Sequence, residues 1–248
     1  MSVPAPDPLR EVLAGAWRAR YAIETEASLR FGALAKRLEA IGAPAALIDL
    51  AARASSDETR HAAHCERIFH ALGGDGLTAV DRVIEYAPRT LPPAERLTYE
   101  MVAQCCVAET QSMTTLVTLL EAAKTAELRS VLQELARDEV NHSRLGWAFL
   151  AWVRPKLDLG FLGPLLPGMI AGSAGPELFT EGPPAANDPG LLAQGVVPKS
   201  MRQKLYLETL ETVVLPGFDT LGVETGPARA WLGEKRTAFG QAAPASPG

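Results

Sequence analysis

Apolar residues recur at three- and four-residue steps over four long stretches of the chain. In each stretch a glutamate interrupts the apolar face. The first stripe is Leu13, Trp17, Tyr21, Glu24, Ser28, Phe31, Leu34, Leu38 and Ile41. The second, from Pro44 to Leu72, is Leu47, Ala51, Ala54, Glu58, His61, Cys65, Ile68/Phe69 and Leu72. The third, from Pro93 to Ala123, is Val102, Cys106, Glu109, Met113, Leu116 and Leu120. The fourth, from Thr125 to Val153, is Leu128, Leu132, Leu135, Glu139, His142, Gly146, Phe149/Leu150 and Val153. This period predicts four amphipathic helices of about 30 residues each.

The breaks between stripes set the topology. Gly42-Ala-Pro44 ends the first helix and opens the second, because proline is tolerated in a first turn. Gly73-Gly74 stops the second, and Pro155 ends the fourth. The loop inside each half is a few residues long, so each half is an antiparallel hairpin. Residues 73 to 92, rich in Gly, Asp and Pro, join the halves. At roughly 3.3 Å per residue, about 20 residues can span a helix about 45 Å long. That is the one long crossover of a ferritin-like bundle. Pro4, Pro6 and Pro8 predict an extended start. After Pro155 the periodicity fades. Residues 199 to 214 read as a fifth helix, Pro227 to Phe239 as a short sixth, and the last residues as disordered.

Two segments have the same chemistry: Asp57-Glu58-Thr59-Arg60-His61 and Asp138-Glu139-Val140-Asn141-His142. In a helix, positions i and i+3 share a face, so each Glu and its His reach one point. A Glu-x-x-His from each of two helices, with one Glu from each of two others, makes a dinuclear metal site. Glu24 and Glu109 complete the set. A lone Glu-x-x-His is usually a surface pair; two of them, each inside an apolar stripe and matched by Glu24 and Glu109, reverse that reading. Four buried carboxylates carry a high electrostatic cost, and two divalent cations balance their charge. Oxygen and imidazole donors suit iron or manganese. Asp57 and Asp138 are placed to accept the free N–H of a ligating histidine on another helix. Glu24 and Glu109 are then the single-carboxylate ligands, one per metal or with one bridging.

The other candidates read more plainly. The chain has four histidines, and His64 and His70 lie off the stripe, as surface residues. Glu26 reads as solvated, and Glu208 and Glu211 as the wet face of the fifth helix. Trp17, Tyr21 and Trp147 read as core aromatics, and Cys105-Cys106 as core filling. The apolar run from Leu157 to Ala171 is read as packing on the bundle or covering the site mouth. The chain has 248 residues, 47% hydrophobic and 21% charged, with a net charge of −5 and no basic run. That argues against nucleic acid or anionic membrane surfaces as main partners. No signal peptide and no membrane span are read, and three cysteines do not make a disulfide framework, so the expected compartment is the cytoplasm.

Several segments together resemble the ferritin-like diiron proteins, most closely the bacterial stand-alone ferritin-like domain proteins found in numbers in myxobacteria. They are Glu24 with Phe31 and Gly42-Ala-Pro44, Asp57-Glu-Thr-Arg-His-Ala62, Cys106-Val-Ala-Glu-Thr110, and Asp138-Glu-Val-Asn-His142 continuing to Leu145-Gly-Trp147. The resemblance covers roughly residues 20 to 150. It implies a diiron centre with Glu24, Glu58, His61, Glu109, Glu139 and His142 as ligands. It gives no reaction, because the superfamily holds ferroxidases, rubrerythrin-like peroxidases, hydroxylases, desaturases and N-oxygenases. The chain departs from the aryl-amine N-oxygenase pattern, which has an extra His where Leu135 stands, and it lacks the Cys-x-x-Cys pairs of a rubredoxin module.

The expectation is an all-α, ferritin-like four-helix bundle over residues 9–155. A C-terminal extension over 156–248, with one or two further helices, packs on it. The expected function is an O2-activating diiron oxidase or oxygenase acting on a small organic molecule, with O2 as co-substrate and an external electron donor. A monomer or homodimer is expected over a cage. The competing readings are a ferroxidase or other iron-handling protein, a peroxide-reducing protein, and a structural bundle with a vestigial site.

Overall fold

The computed structural model describes residues 7–78, 80–175 and 177–240. The expected extended start before Asp7 and the disordered end after Gly240 lie outside the described residues. Helix α1 spans Asp7–Ala40 and α2 spans Ala45–Ala71. α3 is continuous but composite, with α-helical Pro93–Met101, a π-helical Val102–Ala108 and α-helical Glu109–Ala122. α4 spans Ala126–Val153. All four predicted helices are present, and among the described residues there is no strand. Pro8 falls inside α1, not in an extended lead, since a proline fits a first helical turn. Thr125 caps α4 by accepting from the Leu128 amide at 3.2 Å.

α1 packs along α2, α3 along α4, and α2 along α4, with segment 73–92, which holds no helix among its described residues, as the crossover. The core is two apolar layers. One holds Leu13, Trp17, Cys65, Ile68, Leu116, Leu132 and Leu135. The other holds Phe31, Leu34, Ala54, Cys105, Cys106, Leu145 and Phe149. On every helix the motif residues fall between the layers: Glu24 on α1, Glu58 and His61 on α2, Glu109 on α3, Glu139 and His142 on α4. Each fully buried Leu or Phe contributes about 1.5–3 kcal/mol, whereas burying an ion costs several kcal/mol. The apolar layers therefore hold the bundle together, and the polar layer is carried at their expense.

The extension is more helical than its Gly and Pro content predicts. A 3-10 turn at Leu159–Leu165 leads into α5, Leu166–Ala174. α6 runs through Lys199–Thr209, a π turn at Leu210–Val214 and Leu215–Thr220. α7 is Gly226–Ala238. One or two helices were expected, and the described residues hold three α-helical elements; α5 was missed because Pro164, Pro167 and Gly168 mask a nine-residue period. Leu162, Leu166, Met169 and Ile170, from the apolar run, are buried in the same layer as Cys105 and Phe149.

Gly146 sets how closely α4 approaches the π turn of α3. A Cβ there would lie 2.6 Å from Cys106 Sγ, 2.7 Å from Cys105 Cβ and 2.9 Å from the Cys106 backbone nitrogen. Backbone cannot step aside as a flexible side chain can. Gly146→Ala is expected to destabilise the fold by about 1–3 kcal/mol, read as a lower urea midpoint. An unchanged midpoint would mean that the π turn is not a fixed packing element.

Candidate metal centre

The four inward glutamates and two histidines meet in the polar layer. All six are buried, with His61 at 0% exposure and Glu24, the most exposed, at 5%. They form two overlapping groups whose potential ligand atoms lie within 4.8 Å of one another. One group is Glu24, Glu58, His61 and Glu139; the other is Glu58, Glu109, Glu139 and His142. Glu58 and Glu139 belong to both. Glu24 stands on the His61 side and Glu109 on the His142 side.

Both imidazoles turn Nδ1 inward. His61 Nδ1 lies 3.1 Å from Glu58 Oε2. His142 Nδ1 lies 3.1 Å from Glu139 Oε2 and 3.1 Å from Glu58 Oε1. The outer nitrogens are held crosswise. His142 Nε2 is 3.3 Å from Asp57 Oδ2 and His61 Nε2 is 3.4 Å from Asp138 Oδ2. Each motif's aspartate thus serves the other motif's histidine, as the sequence reading anticipated for a second helix. Arg60 ties the two aspartates together, with Nη2 2.8 Å from Asp57 Oδ1 and 2.9 Å from Asp138 Oδ2.

Two further donors were not found from the sequence. Ser112 Oγ donates to Glu139 Oε1 at 2.9 Å. The Gln104 amide donates to Glu109 Oε1. In an α-helix, side chains five residues apart point about 140° apart. The wider i→i+5 turn at Val102–Ala108 brings Gln104 back to the face of Glu109. A stripe read at α-helical steps gives no sign of this.

Left to protons alone, the cluster is electrostatically unlike ordinary acids and bases. Burial, reinforced by Glu58, pushes Glu24 well above the usual carboxylate range, and burial with Glu139 does the same to Glu109. Burial would also raise Glu58, but hydrogen bonds from His142 and His61 outweigh it and hold Glu58 down at about 2. Burial opposes the charge on His142, yet its bonds to Glu139 and Glu58 push it up to about 12. Protons and an imidazolium here do the neutralising that cations do in a loaded site. Hard oxygen donors with imidazole nitrogens, fixed from behind by carboxylates, suit iron or manganese.

The remaining candidates stay outside the cluster. His64 is half-buried against Glu134 at 3.2 Å, and His70 is exposed against the Gly74 carbonyl. Glu26 is not solvated as expected: it is half-buried, bonded to Arg30, and accepts from the Ile84 amide at 3.3 Å. Glu211 is likewise not on a free wet face, since it pairs with Arg236 at 2.6 Å. Trp17 is core, and Trp147 packs tilted against Phe218 with ring centroids 5.1 Å apart. Cys65, Cys105 and Cys106 are free and buried.

The family model for rubrerythrin matches residues 18–148, just over half of the chain and all six residues of the cluster. The chain belongs to the rubrerythrin family. Neither the curated proteins nor the solved structures contain a match to it. Membership in this family of diiron oxidoreductases implies a diiron centre, and the buried carboxylate–imidazole cluster fits one. Among the described residues no helix is long and apolar enough to cross a membrane.

Proposed function

We propose that the protein is a diiron oxidoreductase that uses O2 to oxidise a small organic molecule. In this reading Glu24, Glu58, His61, Glu109, Glu139 and His142 would hold two irons, with Glu58 and Glu139 common to both groups of residues. Bound iron supplies the electrons that reduce O2. The chain's own groups prepare the site. Asp57 and Asp138 keep the Nε2–H tautomer, so that Nδ1 offers its lone pair inward. Ser112 and Gln104 fix one oxygen each of Glu139 and Glu109, which limits how those carboxylates can swing. The apolar layers above and below exclude bulk water.

The observation that carries the organic substrate is the extension laid on the ligand-bearing helices. Gln111, two residues past Glu109, donates to the Tyr206 carbonyl of α6 at 2.9 Å. Leu207, Leu210, Leu215 and Phe218 of α6 are buried in the bundle core. Bundle surface covered in this way is not free for the packing of a cage. This supports a monomer or homodimer, with electrons from an external donor. The free thiols fit a reducing cytoplasm.

Peroxide reduction is the second reading, favoured by the family match itself. One experiment separates them. Iron-loaded, reduced protein is mixed in stopped flow with O2 or with hydrogen peroxide, and re-oxidation is followed optically. Faster reaction with O2, followed by a substrate-dependent decay, is the expected result. Re-oxidation by peroxide alone would replace the oxidase reading with peroxide reduction. Accumulation of a mineral core would replace both with iron handling.

A further inference from the structure

Away from the polar layer, a cavity of about 450 Å3 opens between α1, the start of α3 and the crossover. Part of its lining is apolar, made by Ala33, Leu34, Val83 and Ala87. The rest is charged. Three arginines (Arg30, Arg37 and Arg89) and two glutamates (Glu85 and Glu100) line it.

The glutamates are already committed. Glu100 accepts from Arg30 Nη1 at 3.0 Å and from the amides of Tyr86 and Ala87 at 2.7 Å each. Glu85 is paired with Arg96 at 2.6 Å. Arg30, 2% exposed, is committed too: each of its three nitrogens donates to Glu26 or Glu100, and the Tyr86 ring centroid lies 4.1 Å from its guanidinium carbon. This buried network pins the crossover to the bundle and makes the cavity wall rigid. Among the described residues, the side chains of Arg37 and Arg89 have neither a carboxylate nor a hydrogen-bond partner. Arg37 is half-buried and Arg89 exposed, and both line the cavity together with its apolar residues.

We infer that this cavity is a second ligand site, taking an organic monocarboxylate whose head is held by Arg37 and Arg89 and whose hydrocarbon part lies on Leu34 and Val83. Guanidinium groups match carboxylates in bidentate geometry. The charges of Glu85 and Glu100 in the same lining disfavour a dianion such as a phosphate monoester. A volume of 450 Å3 lies in the range of small-molecule sites. Arg37 is thirteen residues beyond Glu24 on α1, about 20 Å along the helix axis, so this site is separate from the metal centre.

The test is calorimetric titration of the full-length protein with octanoate, with octanol and inorganic phosphate as comparison ligands. Saturable binding of one octanoate is expected, with octanol and phosphate much weaker. Arg37→Gln and Arg89→Gln should each weaken octanoate about tenfold, the loss of one charge-assisted contact. Ala33→Glu, which places a carboxylate in the cavity, should abolish binding while circular dichroism and iron content stay at wild-type values. Equal binding of octanol, tighter binding of phosphate, or full affinity in all three variants would overturn the assignment, as would the absence of any saturable octanoate binding.

Discussion

Glu58→Ala is expected to empty the centre, reducing iron from about two per chain to a small fraction of one. Glu58 belongs to both ligand groups, and its two oxygens lie 3.1 Å from the inner nitrogens of His61 and His142. Losing it therefore damages both positions together. Glu26→Ala, two residues past Glu24 on α1 but bonded to Arg30, should keep its iron. Equal loss in both variants would mean that the effect comes from unfolding of α1 and α2, not from a missing ligand. The metal-free protein offers an independent check. The folded-state pKa of Glu58, about 2, lies below its ordinary 4.5. A depressed carboxylate contributes stability that is present above the ordinary value and is lost as pH falls through the folded one. Two to three pH units correspond to roughly 3 kcal/mol. Metal-free Glu58→Ala should therefore unfold at lower urea than wild type at neutral pH, and the gap should close as pH falls from about 4.5 toward about 2.

Asp57→Ala and Asp138→Ala are each expected to weaken metal binding by about 10–100-fold, the usual effect of removing a carboxylate behind a ligating histidine. The crosswise bonds make the consequence specific. Asp57→Ala frees the outer nitrogen of His142 and Asp138→Ala frees that of His61, so each substitution should weaken the position served by the opposite motif. Cobalt(II) titration followed by ligand-field absorbance reads the two positions as separate phases. The asparagine variants keep a carbonyl acceptor at the same place and should recover most of the affinity. If asparagine behaves like alanine, the charge near Arg60 matters and the orientation of the imidazole does not.

The legible part of this protein was the part whose geometry is local. A three-residue spacing puts Glu58 with His61 and Glu139 with His142 on one helical face wherever the helix goes. A Glu in an apolar stripe must enter the core with it, which is how Glu24 and Glu109 were found. Glu26 was misread for the converse reason. Its place off the stripe says that it avoids the centre, but not that the crossover folds back and offers it the Ile84 amide and a shared Arg30. Arg30 and Glu100 passed unnoticed because α1 and α3 are joined only by the fold, seventy residues apart. Helix α5 was hidden by prolines that a first turn and a 3-10 lead can accommodate.

The sequence by itself determined four long helices, their pairing into hairpins, the long crossover, and six polar residues facing inward between two apolar layers. All of these follow from period, short loops and capping, which depend on neighbours within a few residues. Only the tertiary structure decided that Glu58 and Glu139 are shared by both groups and which aspartate holds which histidine. It alone decided that a π turn swings Gln104 onto Glu109, and that the extension is laid on α3. Those are contacts between elements far apart in the chain. Their geometry is set by how closely the helices approach, as at Gly146 against Cys106, and no periodicity within one helix encodes that distance.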